Sequence, residues 1–175
     1  LAVTDVAVST SDNDTVGITV SPTSGLVTTE AGGTATFTVV LDSQPTANVT
    51  IGLSSSDLTE GTVAPASLTF TGANWSTPQT VTATGVNDAL LDGDVAYTIL
   101  TAAAISGDAS YNGVNAADVA ATNTDNSAAG ITVSPTSGLV TTEVGGTATF
   151  AVALNSQPTA NVTIGLSSSD VAEGT

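Results

Sequence analysis

Residues 34–41 read TATFTVVL, a stretch in which one side of an extended chain is apolar. Ala35, Phe37, Val39 and Leu41 share that side, and the positions between them are threonine or valine. Successive side chains of a β-strand point to opposite faces of the sheet. The stretch therefore predicts a strand with one face in a core and the other toward solvent.

The same two-residue period recurs along the chain. Further strands are predicted at residues 17–21, 26–30, 47–53, 66–71, 79–85, 94–101 and 115–123. Turn signals such as Ser21-Pro22 and Gly32-Gly33 separate them, and no segment has a convincing helical period. So many short strands with turns between them predict an all-β fold, an antiparallel sandwich of the immunoglobulin-like kind.

The chain also repeats itself. Residues 17–22 read GITVSP, and the same letters return 113 residues later at residues 130–135. Residues 17–62 match residues 130–175 at 40 of 46 positions. The six differences are Ala31/Val144, Thr38/Ala151, Val40/Ala153, Asp42/Asn155, Leu58/Val171 and Thr59/Ala172. Residues 1–16 align more loosely with residues 114–129.

This pattern predicts three parts. Residues 1–16 are the last strand and linker of one repeat, residues 17–129 are a complete repeat, and residues 130–175 are the first part of the next. A period of 113 residues is longer than a solenoid unit and suits a whole domain. We therefore expect tandem sandwiches joined in series, and a chain that is a window of a longer array.

The charge of the chain is one-sided. It has 16 acidic residues, no Lys, Arg or His, and a formal net charge of −16. Nucleic acids and anionic membranes are bound through Lys and Arg, so we expect neither as a partner. No stretch is apolar enough for direct membrane insertion. The chain also has no Cys, which excludes disulfides and fits an exposed extracellular location.

The same composition argues against an enzyme. Without His, Cys or Lys, most general bases and nucleophiles are absent. Asp92 and Asp94 lie in one turn and offer no cleft for paired-carboxylate hydrolysis. A large net charge disfavours a compact state, yet 41% of the residues are apolar, which does not suit disorder. An external cation such as Ca²⁺ would resolve this conflict, because carboxylates are its ligands.

Several short motifs, in this order and spacing, resemble a Calx-beta repeat. They are EAGGTATFTV at 30–39, SSSD at 54–57 with EGT at 60–62, SLTFT at 67–71, TVTATGVND at 80–88, and Asp125-Asn126. The resemblance covers essentially the whole repeat. It implies a seven-stranded, Ca²⁺-binding sandwich of the kind found in exchanger regulatory domains and in arrays within large bacterial surface proteins.

The resemblance implies that acidic loops gather at one end of the sandwich and bind Ca²⁺ at the repeat junction. The implied ligands are Glu30, Asp57, Asp88, Asp92, Asp94, Asp125 and Asn126. Asp12 and Asp14 would be their counterparts at the preceding junction, and Glu143 in the following repeat. Asp42 is a poor candidate, because its counterpart is the neutral Asn155. The alternative is that these are ordinary turn residues, since Asp and Asn cap their own backbone.

Other surface features leave glycans open as ligands or modifications. The N-glycosylation pattern occurs at Asn13, Asn48, Asn74 and Asn161, and exposed threonines and serines are further acceptors. Trp75, the only tryptophan, either stacks on a sugar or, as we favour, plugs the end of the sandwich or contacts the next repeat. The alternating threonines of residues 80–84 occur on ice-binding surfaces but are also typical of an exposed strand face.

These observations predict an extracellular structural repeat, a Ca²⁺-stiffened spacer or stalk of a cell-surface adhesin or fibre. Carboxylates at the junction would repel one another without the cation and coordinate it when it is bound. The expected partners are neighbouring repeats and, in a fibre, identical chains. The first alternative is a self-assembling extracellular filament subunit with strand or end-to-end pairing. The second is a carbohydrate-binding adhesin module.

Overall fold

The computed structural model describes residues 3–172, so residues 1, 2 and 173–175 of the predicted repeat segments lie outside the described part. Ten strands lie between residues 18 and 124. They are β1 (Ile18–Ser21), β2 (Leu26–Thr29), β3 (Thr34–Leu41), β4 (Val49–Ser55), β5 (Gly61–Ala64), β6 (Ser67–Phe70), β7 (Gln79–Gly85), β8 (Val95–Thr101), β9 (Ile105–Ser106) and β10 (Val119–Thr124). Two more follow, β11 (Ile131–Ser134) and β12 (Ala151–Leu154).

The first ten strands form a β-sandwich, which confirms the predicted fold class. One sheet has the order β1-β3-β7-β5, and the other has the order β2-β10-β8-β4-β6 with β9 beside β4. The sequence did not predict β5 and β9, which are too short to show a clear period. No helix among residues 3–172 is long and apolar enough to cross a membrane.

One strand pair departs from the expected antiparallel arrangement. β10 pairs with β2 in parallel, with Ala121 opposite Leu26 and Thr124 opposite Thr29. The cause is a change of sheet: β1 pairs with β3, and the chain then turns through Gly25, at a φ of 78°, so that β2 joins the other sheet. Positive φ carries no steric penalty for glycine, so Gly25 permits this turn.

The core lies between the two sheets and follows the predicted alternation. In β3, Phe37, Val39 and Leu41 are buried, whereas the intervening Thr36 is exposed. Both sheets contribute further fully buried side chains, among them Ile51, Phe70, Val81, Ile99 and Val119. Burying one such side chain contributes about 1.5–3 kcal/mol. An aliphatic core with few aromatic rings therefore holds the sandwich together.

The chain enters and leaves the sandwich at opposite ends. Ile18, at the start of β1, pairs with Leu41 at the end of β3. Thr124, at the end of β10, pairs with Thr29 at the end of β2. The Thr29 carbonyl accepts hydrogen bonds from Gly32 and Gly33, which directly precede β3. We call the first end, near Leu41, the leading end, and the second, near Thr29, the trailing end.

Residues 130–172 reproduce local features of the complete repeat, residues 17–129. β11 pairs with β12 in the register of β1 and β3, with Ile131 opposite Leu154 as Ile18 is opposite Leu41. Side chains equivalent to the core of the first repeat are exposed here, including Phe150 at 44%. Among the described residues, no second sheet covers this face as the sheet β2-β10-β8-β4-β6 covers its counterpart.

Candidate cation site at the trailing end

Three carboxylates converge at the trailing end. Glu60, Asp88 and Asp92 can each offer one oxygen within 4.8 Å of the other two. Glu60 directly precedes β5, and the two aspartates lie in the loop after β7. Because β5 pairs with β7, with Gly61 opposite Gly85, the strand ends bring these segments together. The hydrogen bond from the Val86 N–H to the Glu60 backbone oxygen, at 3.0 Å, fixes their separation.

Glu60 is held by a buried polar network. Its side chain is only 6% exposed, and Asn123 Nδ2 donates to Glu60 Oε2 at 3.4 Å and to the Val86 carbonyl at 3.0 Å. Asn123 Oδ1 accepts the hydroxyl of Thr28 at 3.0 Å, and that hydroxyl also contacts the Tyr97 hydroxyl at 3.1 Å. The network links the cluster to the core and restricts the position of the Glu60 carboxylate.

The electrostatics of this position are unfavourable to a charged carboxylate. Burial raises the pKa of Glu60, and repulsion from Asp92, Asp57 and Asp88 raises it further. The hydrogen bond from Asn123 lowers the pKa of Glu60 and opposes these effects. The chain has no Lys, Arg or His that could compensate the charge. A bound divalent cation would offset the repulsion and the cost of burying the charge.

A second set of acidic side chains holds the linker that follows β10 and leaves the sandwich. The Asn126 N–H donates to Glu30 Oε2 at 3.0 Å, and the Asp125 N–H donates to Asp94 Oδ1 at 3.2 Å. In return, Asp125 Oδ2 accepts the Gly93 N–H at 2.9 Å. Asn126 Nδ2 also donates to the side chain of Asn87 at 3.0 Å. These groups attach the linker to the loop that carries Asp88 and Asp92.

The structure thus separates the predicted ligands into three sets. Asp88 and Asp92 lie in the three-carboxylate cluster. Glu30, Asp94, Asp125 and Asn126 lie at the same end and hold the linker through hydrogen bonds. The remaining candidates, Asp57, Asp12, Asp14 and Glu143, lie outside the cluster.

The outlying candidates make turn contacts or are exposed. Asp57 Oδ1 accepts the N–H of Thr59 at 2.9 Å and its hydroxyl at 2.6 Å, and the side-chain hydrogen bond from Thr59 is the main cause that lowers the pKa of Asp57. Asp12 Oδ1 accepts the Asp14 N–H at 3.0 Å within an exposed segment. Glu143 is also exposed. Asp12 and Asp57 thus make the hydrogen bonds that are typical of turn residues.

Glu60 is the cluster member that sequence reasoning did not name as a ligand. It appeared only within the EGT motif at 60–62. Its position beside Asp88 depends on the pairing of β5 with β7, and β5 was not predicted. One usable signal is that Glu60 keeps its charge in the second copy as Glu173, a residue outside the described part, whereas Asp42 becomes Asn155.

Two further residues have structural roles. Trp75 is partly buried and packs against the core, and its backbone carbonyl accepts the Leu41 N–H at 3.2 Å. Its side chain therefore lies at the leading end of the sandwich, as expected of a plug. Asp42 Oδ1 accepts the Thr19 hydroxyl at 2.7 Å, and Asn155 Oδ1 accepts the Thr132 hydroxyl at the same distance. The exchange of Asp42 for Asn155 keeps the acceptor and removes the charge.

Comparisons with known proteins show no family. No protein-family model matches the chain, and no curated protein matches it, so the Calx-beta resemblance has no support from a family match. Among solved structures, the chain is similar to the periplasmic chaperone SfaE, with 8% identity, a TM-score of 0.49 and coverage of 63% of this chain and 58% of that chain. It is similar to SSP-19, an MSP-domain-like protein of Caenorhabditis elegans, with 15% identity, a TM-score of 0.46 and coverage of 61% and 99%.

A further similarity is to domains 1–6 of the surface layer protein SbsC. The identity is 14%, the TM-score is 0.36, and the coverage is 85% of this chain and 23% of that chain. All three TM-scores lie below 0.5, and nothing about what this chain binds or does follows from them.

Proposed function

We propose that this chain is an extracellular structural spacer, in which β-sandwich repeats are joined end to end and Ca²⁺ at the trailing end of each repeat stiffens the junction. The observation that carries the proposal is the buried Glu60 carboxylate beside Asp88 and Asp92, in a chain without one cationic side chain. The same loop also binds the linker through Gly93 and Asp94.

The donor chemistry favours Ca²⁺ over other metals. Glu60, Asp88 and Asp92 offer only oxygen, and the chain has neither His nor Cys to select zinc or copper. Ca²⁺ accepts six to eight oxygens in flexible geometry, so three carboxylates leave places for carbonyl oxygens and water. Extracellular Ca²⁺ modules bind with Kd values of about 10⁻⁴–10⁻³ M, an affinity that suits a partly open site.

The arrangement of the ends supports a spacer. The leading and trailing ends are opposite, so linked repeats extend rather than fold back. The linker begins at Asp125, which makes three hydrogen bonds, with Gly93, Asp94 and Ser127. Like charges that collect at such a junction repel each other, and a cation converts that repulsion into cohesion. No catalytic step is part of this proposal, because the chain lacks His, Cys and Lys.

Thermal unfolding with Ca²⁺ and with excess EGTA tests the binding step. At a free Ca²⁺ concentration of 100 times Kd, binding stabilises the folded state by about 2.7 kcal/mol. We expect a clear rise in Tm that Asp92→Asn abolishes. Asp42→Asn is the matched control, because Asn155 shows that Asn makes the same hydrogen bond there. A Tm that Ca²⁺ does not change would contradict the proposal.

A further inference from the structure

We infer that the loop of residues 86–94 is a docking surface for the following repeat and that its partner is the turn Ser156-Gln157-Pro158. The Gln157 N–H donates to the Ala89 carbonyl at 2.7 Å. Leu90 and Gln157 pair as an isolated parallel β-bridge. The inference rests on the proposed function in one respect, that the chain is an array of successive repeats.

The loop is braced so that the Ala89 carbonyl has a fixed direction. Asp88 Oδ1 accepts the Leu90 N–H at 2.8 Å, which closes a tight turn around Ala89. At the start of the loop, the Val86 N–H is bound to the Glu60 carbonyl, and at its end the Gly93 N–H is bound to Asp125. A carbonyl held at both flanks loses little conformational freedom when it accepts a hydrogen bond.

The complete repeat carries the same turn at its leading end. Ser43-Gln44-Pro45 has the sequence of Ser156-Gln157-Pro158. Ser43 is anchored by Tyr111, whose hydroxyl donates to the Ser43 carbonyl at 2.7 Å, while Gln44 is exposed. Within residues 3–172, the backbone N–H of Gln44 has no hydrogen-bond partner. A fully folded repeat therefore presents this N–H in the position that Gln157 uses.

The contact gives each junction a second point of attachment. The first is the covalent linker, which Glu30 and Asp94 hold against its own repeat. A linker alone leaves the next repeat free to rotate about it, whereas a second contact away from the linker restricts rotation. Because the two surfaces belong to one chain, their effective concentration is high and even a small contact can form.

The charge at this contact is also suitable. The residue two before Gln157 is the neutral Asn155, so this incoming turn brings no carboxylate to the acidic loop, whereas position 42 of the complete repeat is an aspartate. Asp88 belongs both to the carboxylate cluster and to the brace around Ala89. A cation held by Asp88 would therefore also fix the docking surface.

Disulfide trapping tests the contact. The chain has no Cys, so Leu90→Cys with Gln157→Cys creates one pair. Neighbouring strands lie about 4.8 Å apart, within the Cα separation of about 4.4–6.8 Å that a disulfide spans. Leu90→Cys with Gln44→Cys is the control, since Gln44 lies at the opposite end of the same sandwich. We expect the first pair to form an intramolecular disulfide at least tenfold faster, and equal rates would overturn the inference.

Repeating the trapping with Ca²⁺ and with EGTA separates this inference from the proposed function. Fast trapping in both conditions supports docking and shows that it does not need the cation. Fast trapping only with Ca²⁺ supports docking under cation control. Slow trapping in both refutes docking, and the thermal unfolding experiment still decides whether Ca²⁺ binds.

Amide hydrogen exchange of the unmodified chain provides a test that no substitution can disturb. The N–H of Gln157 is hydrogen-bonded and that of Gln44 is not, although both lie in a Ser-Gln-Pro sequence. We expect slower exchange at Gln157 than at Gln44. Equal exchange at the two amides would contradict the docking contact.

Discussion

The side-chain amide of Asn123 donates to the Glu60 carboxylate over 3.4 Å, and both side chains are buried. Asn123 comes from β10 and Glu60 precedes β5, so this bond joins the two sheets at the trailing end. Through Asn123 Oδ1, the contact extends to Thr28 and the interior. The position of the cluster therefore depends on the polar network behind it.

Replacing Asn123 tests this dependence. Asn123→Ala removes the side-chain donor to Glu60 and to the Val86 carbonyl, and buried polar groups that lose a partner cost about 1–3 kcal/mol each. We expect a loss of about 2 kcal/mol or more in the free energy of unfolding, measured by urea denaturation. Thr122→Ala, one residue earlier in β10 and half-buried, is the control and should change that free energy by about 0.5 kcal/mol or less.

Glu60 should destabilise the fold at neutral pH when Ca²⁺ is absent. Its folded-state pKa is raised above the ordinary value of 4.5, so the folded state binds a proton more readily than the unfolded state. The stability contribution of Glu60 therefore falls as pH rises from 4.5 through the folded pKa. In EGTA, Glu60→Gln should raise Tm at pH 7, and the gain should shrink as pH approaches 4.5.

In saturating Ca²⁺ the effect of Glu60→Gln should reverse at pH 7, because the amide removes a charged ligand from the cluster. Urea unfolding of both proteins across pH, with EGTA and with Ca²⁺, measures this. A variant that is less stable than the parent in EGTA at pH 7 would contradict the buried-charge account of Glu60.

Asp108 should show the opposite pH dependence. Its Oδ2 accepts the Thr46 N–H at 2.8 Å, and its Oδ1 accepts the Ser110 N–H at 2.9 Å. The backbone hydrogen bond from Thr46 is the largest cause that lowers the pKa of Asp108 below its ordinary 3.8. Its contribution is present above pH 3.8 and is lost as pH falls through the lower folded pKa. Asp108→Asn should therefore destabilise the fold at pH 7 and have less effect in acid, by the same urea measurement.

Gly85 should tolerate no side chain. A Cβ at this position would collide with the Thr29 carbonyl and with the Asn123 side chain. Gly85→Ala should cost about 1–3 kcal/mol, as overpacking does, and should weaken Ca²⁺ binding because it displaces Asn123 behind Glu60. Gly52→Ala is the control, since its Cβ would meet the Ala102 methyl at an ordinary 3.5 Å. Equal stability of the two variants in urea would contradict the close packing at the trailing end.

The fold was predictable where side chains alternate over many residues, as in β3. It was not predictable where pairing is non-local. β2 and β10 are parallel neighbours because the chain changes sheets after Ser21, and no local pattern records that change. The same limit applies to the site. Asp88 and Asp92 share one loop and were both named as candidates, whereas Glu60 joins them only through the pairing of β5 with β7.

If Ca²⁺ stiffens the junction between repeats, the distance between two spin labels placed on either side of the junction will vary less when Ca²⁺ is bound. Thr36 and its counterpart Thr149 are exposed, and cysteines at these positions would be the only ones in the chain. We expect a narrow distance distribution with Ca²⁺, a broad one with EGTA, and a broad one in both conditions for Asp92→Asn. Distributions of equal width with Ca²⁺ and with EGTA in the parent chain would contradict it.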